Sequence, residues 1–438
     1  MWLMQNQTEG YKSQGKERLR LEKRYKSLLR EDLRLGELVS YVGNKRIPLL
    51  RLYRYKEAFA FEFVRHFIRR FGLTTRDYIF DPFAGMGTTL FASMLQGIPS
   101  IGIDKLPIAA FVAKAIHSLL YIENGDLRNT FETLKQKVDA IDPAPVAMDV
   151  RIMKLAFDED ILLRLRKWKA AINELPQPLK DIFLLLFFSI LEATSYTSKD
   201  GQFLRLKREK HLLYPDDAIL NKVFQAEQDL EHIRWLFPSW NGFRNCLPKV
   251  ILGDTMNLGE ISFDRPPTAI ITSPPYANRY DYTRSYCLEL CFHFVRNFEE
   301  LKAIRFGILR SHIESKVSQQ EKPSHPAVQE VIETLKSKHL NNPKIPHMII
   351  GYFIDMEKAI YEWSHTLASG ARVAMVVDNV RFEGELIPVD LVLSEVAEEA
   401  GFEVKEILIA RYKGNSSQQM KRYGRVPVRE SIVVWKKQ

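Results

Sequence analysis

Thr272-Ser273-Pro274-Pro275-Tyr276 ends an apolar run, and its residue types suit one kind of chemistry. Two consecutive prolines stiffen the backbone and remove two N–H donors, leaving carbonyls that only accept. The Ser273 hydroxyl and the Pro274 carbonyl can both accept from an exocyclic amine and so aim its nitrogen lone pair. Tyr276 adds a ring on which a planar base can stack. Ser273, Pro274, Pro275 and Tyr276 are therefore the expected catalytic residues.

A second segment, Asp81-Pro82-Phe83-Ala84-Gly85-Met86-Gly87-Thr88-Thr89-Leu90, lies between a strand signal and a helix signal. Its two glycines permit a tight turn and a close approach of backbone to ligand. Asp104 ends the next strand signal, at the offset where a carboxylate accepts from both hydroxyls of a ribose. Leu90 stands where a dinucleotide fingerprint has Gly or Ala, and no Gly-Lys-Ser/Thr follows, which weakens nicotinamide and ATP readings. A nucleoside without a pyrophosphate fits better, and S-adenosylmethionine has that chemistry. Its ammonium would be drawn to Asp81, its carboxylate to N–H groups at the helix start and its ribose to Asp104. Pro82, Phe83, Ala84, Gly85, Gly87, Thr88 and Thr89 complete the expected cofactor loop.

Both segments need a scaffold that brings strand ends together. Seven strand signals occur: Tyr78 to Phe80, Ser100 to Asp104, Lys249 to Gly253, Thr268 to Thr272, Ala371 to Val377, Val404 to Tyr412 and Glu430 to Lys436. A long, mainly helical stretch separates the second from the third. The expected organisation is α/β: a basic helical arm over 1–44, a split sheet domain over 45–118 and 249–438, and helical insertions over 119–248 and 296–348. Few contacts are needed between the sheet domain and the first insertion. The arm is read as one amphipathic helix from Lys16 to Arg34, with its eight basic residues either solvated or contacting phosphate.

The 63 Lys and Arg against 54 Asp and Glu leave a net charge of +9, which permits a polyanionic partner without identifying one. Three cysteines make no disulfide framework and, without a tight Cys/His group, no zinc site, so no metal is expected. Cys287 and Cys291 are expected to pack a helix. The longest apolar run, Ile182 to Leu191, is too short to cross a membrane, and a cytoplasmic location is expected.

DPFAGMGTT and TSPPY together resemble motifs of the DNA amino-methyltransferases, which methylate cytosine N4 or adenine N6 with S-adenosylmethionine. The helix signal from Lys56 to Phe71 resembles the family segment that helps hold the methionine end of the cofactor. Asp104 matches the ribose acid, Gly253-Asp254-Thr255 the segment beside the adenine ring, and Arg429-Glu430-Ser431 the final antiparallel strand. The resemblance implies a seven-stranded Rossmann-like methyltransferase sheet with its last strand antiparallel, and adds Asp254 and Thr255 to the cofactor residues. Ser273, where adenine enzymes usually carry Asp, implies cytosine N4 as the target. Adenine N6, an RNA base, or a non-catalytic subunit are the alternatives.

An amine inside a duplex cannot enter such a pocket, so double-stranded DNA with a flipped-out base is the expected substrate. Lys199, Arg205, Lys207, Arg208 and Lys210 in the first insertion, Arg279 and Arg284 beside the catalytic loop, and Lys421, Arg422 and Arg425 before the last strand are the expected DNA contacts. The 119–248 insertion is the preferred target-recognition region. A cognate restriction endonuclease acting on the same site is a further partner implied by the resemblance.

Overall fold

The computed structural model describes residues 15–123, 125–200, 203–236, 246–318, 320–413, 424 and 426–438. In chain order the strands are β1 (Leu29–Glu31), β2 (Ile79–Asp81), β3 (Ser100–Asp104), the hairpin β4 (Thr197–Asp200) and β5 (Phe203–Leu206), β6 (Lys249–Leu252), β7 (Ala269–Thr272), β8 (Arg372–Asp378), the hairpin β9 (Val380–Phe382) and β10 (Glu385–Ile387), β11 (Phe402–Lys413) and β12 (Val428–Lys437). Eight form one sheet in the order β1-β11-β12-β8-β7-β2-β3-β6. The short apolar runs of β2 and β7 are buried throughout, as parallel strands covered on both faces must be.

All seven expected strands are present. β12 runs antiparallel to both β11 and β8, while β6, β3, β2, β7 and β8 are mutually parallel. The strand at the far edge, β1, is an eighth that the helical reading of the arm did not anticipate. The arm helix is only Lys16–Tyr25. Beyond it, the outer edge of β11 offers backbone groups that need partners: Ile407 N donates to Leu28 O at 2.9 Å and Asp32 N to Ile409 O at 3.1 Å. Pairing along that edge overrides the helical spacing of Leu28, Leu29 and Leu33.

The sparse boundary expected around the first insertion is absent. Its helices Asp126–Val138, Glu159–Asn173, Leu179–Ile190 and Pro215–Leu236 share one continuous core with Phe63, Phe91, Ile116 and Ile271 of the sheet and its flanking helices. Helix Leu179–Ile190 supplies the reason. Its sequence LKDIFLLLFFSI is apolar around most of its circumference, so it needs cover on all sides. It packs against Pro107–Ser118 on one side and Pro215–Leu236 on another. Among the described residues no helix is long and apolar enough to cross a membrane.

The arm's arginines neither point to solvent as a group nor form a free basic face. Arg18, 1% exposed, donates to Glu330 Oε1 and Glu385 Oε2, both at 2.8 Å, and to Leu386 O at 3.1 Å. Arg20 and Arg24 clasp Glu395. These bonds dock the arm onto the hairpin β9–β10 and helix Val389–Glu399. Removing Arg18 would take one of two partners from each carboxylate, since Glu385 keeps Lys338 and Glu330 keeps Glu17 N, so Arg18→Ala is expected to destabilise by about 1–3 kcal/mol. Substitution of the exposed Arg30 should cost about 0.5 kcal/mol or less. Urea unfolding of the two variants checks the difference.

Candidate active site

The parallel pairing of β2 with β7, Ile79 opposite Ala269 and Phe80 opposite Ile270, makes their two following loops leave side by side. Asp81 fastens them: its Oδ1 accepts from Thr272 Oγ1 at 2.6 Å and from Phe83 N at 3.2 Å. On the other side of β2, Gly102 lets the turn settle against β3, because a Cβ there would come within 2.8 Å of Ala84 Cβ. In this architecture ligands bind beyond the carboxyl ends of such strands.

A cavity of about 670 Å3 opens there, lined by Pro82, Phe83, Gly85, Asp104, Gly253, Asp254, Thr255, Ser273 and Pro275 among others. Asp104 ends β3 with Oδ2 accepting from Gly85 N and Oδ1 from Leu106 N, each at 2.8 Å. Burial raises its carboxyl to about 6. Asp254 is held by Lys105 and by Met256 N, and the Thr255 hydroxyl accepts from Trp363 Nε1 at 2.8 Å. Apolar surface comes from Phe83, Leu106, Met256, Ile308 and Leu309.

Five expected cofactor residues are not on this wall. Asp81, 1% exposed, is spent on the strand junction, and burial raises its carboxyl to about 6. Ala84 packs on Gly102. Gly87, at φ +83°, gives room to the helix Pro107–Ser118, since its Cβ would meet Ala113 Cβ at 3.0 Å. Thr88 accepts from Asn44 Nδ2 and Thr89 donates to Ile271 O, both buried. The helix start thus faces the interior, and the expected contacts of Asp81 with an ammonium and of that helix start with a carboxylate are replaced by packing.

A second cavity, about 940 Å3, is lined by Ser273, Pro274, Tyr276, Lys56, Glu57, Tyr280, Tyr282, Arg411, Lys413 and Glu430 among others. The loop from Ser273 to Tyr276 divides between the two spaces. Ser273 faces both, Pro275 the first, Pro274 and Tyr276 the second, the alternation of an extended chain. Ser273 Oγ donates to Val376 O of β8 at 3.2 Å. With that hydrogen bond made, the hydroxyl oxygen still has lone pairs to accept from whatever enters either cavity. Tyr276 OH donates to Glu430 Oε1 at 3.0 Å, and the Lys413 ammonium lies 5.3 Å from the ring centroid. Glu430, 1% exposed, also takes Lys413 and Arg411. Asp378 ends β8 beside Lys413, and burial raises its carboxyl.

Several expected DNA contacts serve the fold instead. Lys199, 6% exposed, pairs with Glu289 at 2.5 Å and lies over the Tyr286 ring at 4.4 Å. Lys210 donates to the carbonyls of Glu192, Ser195 and Thr197, holding the base of the β4–β5 hairpin. Arg279 adopts φ +72°, with its guanidinium half-buried over Phe382. Arg284 is exposed beside Asp281 and Glu314. Arg205, Lys207 and Arg208 remain exposed on the hairpin. Lys421, Arg422 and Arg425 lie outside the described residues. Cys287 and Cys291 pack inside, and among the described residues no His, Cys, Asp or Glu cluster could hold a metal.

Sequence reasoning missed the contributions of Tyr55, Tyr282, Ile308, Leu309 and Ser311 to the first cavity; Glu57 falls in the Lys56 to Phe71 segment expected near the cofactor, although the helix there is only Phe61–Phe71. Tyr53-x-Tyr55-x-Glu57 carries a readable period of two; Ile308 to Ser311, inside the second insertion, carries no local signal.

Known proteins supply an independent line. The family described as DNA methylase matches residues 3–113. The Type II methyltransferase M.BsoBI of Geobacillus stearothermophilus is 33% identical, across 96% of this chain and 92% of that protein. The Type II methyltransferase M.AvaI of a Nostoc strain is 32% identical across 95% and 93%, and M.MvaI of Kocuria varians is 24% identical across 73% of each chain. With the strand order and the paired loops, this likeness along nearly the whole length makes the chain a member of the Type II methyltransferases, within the N4/N6 family of DNA amino-methyltransferases.

Proposed function

We propose that this enzyme methylates the N4 amine of a cytosine flipped out of duplex DNA. The observation that carries the reading is Ser273, the residue at the head of the catalytic loop, facing both cavities with its hydrogen given to Val376 O. A neutral hydroxyl able to accept, next to the Pro274 carbonyl, suits an amine donor. Holding both amine hydrogens would favour a tetrahedral nitrogen and direct its lone pair across the shared wall. No covalent enzyme intermediate is needed, and Cys287 and Cys291 are packed away from either cavity.

The first cavity fits S-adenosylmethionine: a carboxylate for the ribose at Asp104, a second polar group at Asp254, apolar walls for the adenine, and at Gly85 a cradle where a Cβ would come within 3.1 Å of Tyr55. When bound, that molecule supplies an electrophilic methyl group. Asp104 and Asp254 would hold its nucleoside half, and Ser273 and Pro275 would face its reactive end. Tyr276, fixed at its hydroxyl by Glu430, offers a platform for the flipped base, whose extrusion costs a few kcal/mol.

DNA contact is assigned to the β4–β5 hairpin and the segment facing it. A groove of about 1630 Å3 between them is lined by Arg151, Arg205, Arg284 and Arg305 together with Phe203, Leu206 and Phe298. Arginine with exposed apolar side chains suits phosphate contact beside unstacked bases. This favours the 119–248 insertion, with help from 296–348, as the target-recognition region of a restriction-modification methyltransferase. A cognate endonuclease reading the same site belongs to that proposal.

Nucleosides from duplex DNA treated with enzyme and labelled methyl donor should carry label in N4-methylcytosine; label confined to N6-methyladenine overturns the base assignment. Tyr276→Ala is expected to lower turnover by about 10²-fold through lost stacking, with cofactor affinity changed far less. Cofactor affinity should also depend on pH. With Asp104 raised to about 6, lowering the pH from 7 to 5 protonates it and turns an acceptor into a donor, so affinity should fall in that window. Asp104→Asn should already bind weakly at pH 7. Its affinity should change less than wild type across the window, as measured by calorimetry.

A further inference from the structure

Three residues line both cavities: Ser273, Tyr282 and Glu57. Among the described residues Glu57 is the one carboxylate at that junction, and no chemical step has been given to it. Its setting is built. Glu57 Oε2 accepts from Tyr286 OH at 2.5 Å, and the fully buried Tyr286 stacks on Tyr55 at 4.9 Å between ring centroids. Tyr280 and Tyr282 pack edge to face at 5.0 Å and line the same cavity. Tyr286 is itself fixed from below by the Lys199 ammonium, which Glu289 holds together with Tyr53 OH. The neighbouring Lys56 Nζ donates to Lys199 O. A carboxylate is thus held at the point where the two cavities meet.

We propose that Glu57 takes the proton that the target amine sheds. This rests on the proposed amine methylation. As the nitrogen lone pair forms the N–C bond, the carbon–sulfur bond breaks with its pair staying on sulfur, and the nitrogen becomes cationic. One N–H then leaves the acceptor that oriented it and its proton passes to a Glu57 carboxylate oxygen, leaving a neutral secondary amine and a neutral carboxylic acid that later loses its proton to water. Ser273 and the Pro274 carbonyl orient the amine, but neither is a base of useful strength. A carboxylate meets that need, and the tyrosines hold its orientation.

Single-turnover transfer at saturating methyl donor and duplex tests this with Glu57→Gln, Glu57→Asp and Glu57→Ala, alongside binding of S-adenosylhomocysteine and of the duplex. E57Q keeps an oxygen acceptor but is no base, so transfer should fall by at least about 10²-fold, with both affinities within about threefold of wild type. E57D should recover part of the rate, and formate added to E57A should restore transfer in proportion to its concentration. If E57Q melts early, E57A with formate carries the test. Transfer by E57Q within threefold of wild type, or a loss in E57A that formate leaves untouched, overturns the assignment. Wild-type product is measured in the same experiment: wild-type methylation with an unimpaired E57Q sinks the Glu57 role alone. Absence of any methylated base in wild-type reactions removes the amine-transfer reading and the Glu57 role with it.

Discussion

The pairing of β2 with β7 is the constraint on which the site depends. Neither strand has more than four residues, yet each ends where a functional loop begins, and Asp81 bonds across the gap to Thr272. The carboxylate placed at the head of the cofactor loop therefore works as a strut. Burying it is costly, as its raised carboxyl indicates, and two hydrogen bonds offset that cost. A bond of this kind fixes the distance between the cavity that opens at Gly85 and the loop that starts at Ser273. Because the loop alternates between its two faces, one segment of extended chain can serve both ligands at once.

Charge in this chain is largely structural. Arg18, Arg20 and Arg24 bind Glu330, Glu385 and Glu395; Arg429 binds Glu22 and Asp390; Arg411 and Lys413 bind Glu430. A count of +9 says little about where an excess lies once these pairs are set aside. Of the four groove arginines, Arg284 and Arg305 are paired with Asp281, whereas Arg151 and Arg205 are exposed on a groove that Phe203 and Leu206 also line. Exposed apolar side chains among exposed cations are costly to leave in water and suit a partner that is both charged and aromatic.

Much of the sheet was legible because its strands are buried on both faces and so appear as unbroken apolar runs between turn signals. β1 was not, because three residues pairing on a long neighbour's edge leave no period of their own, and the preceding helix pattern runs on through them. At the site, Asp104, Gly85 and the Ser273 to Tyr276 loop were readable from residue type and position on a strand end. Thr88, Thr89 and Gly87 share a motif with ligand-facing residues, but a motif does not say which face of a turn points inward. Ile308, Leu309 and Ser311 arrive from more than thirty residues beyond the loop, and contacts across that separation leave no mark on local sequence. Lys199 shows the opposite error. In sequence it belongs to a basic stretch, whereas in space it is covered by Tyr53 and Tyr286 and neutralised by Glu289.

That buried pair also ties the hairpin to the residues around the two cavities. Lys199 lies in β4, one arm of the hairpin whose other arm carries Arg205, so the element facing the groove is anchored directly beneath the tyrosines that orient Glu57. The insertion has no separate core on which to pivot, and Lys56, beside Glu57, bonds back to the carbonyl of Lys199. A shift of the hairpin would therefore expose an uncompensated charge at Glu289 before it could move freely, a cost of several kcal/mol in such surroundings. The physical consequence is a hairpin tied through Lys199 and Tyr286 to Glu57, so that its position is set by the same contacts that shape the wall between the two cavities.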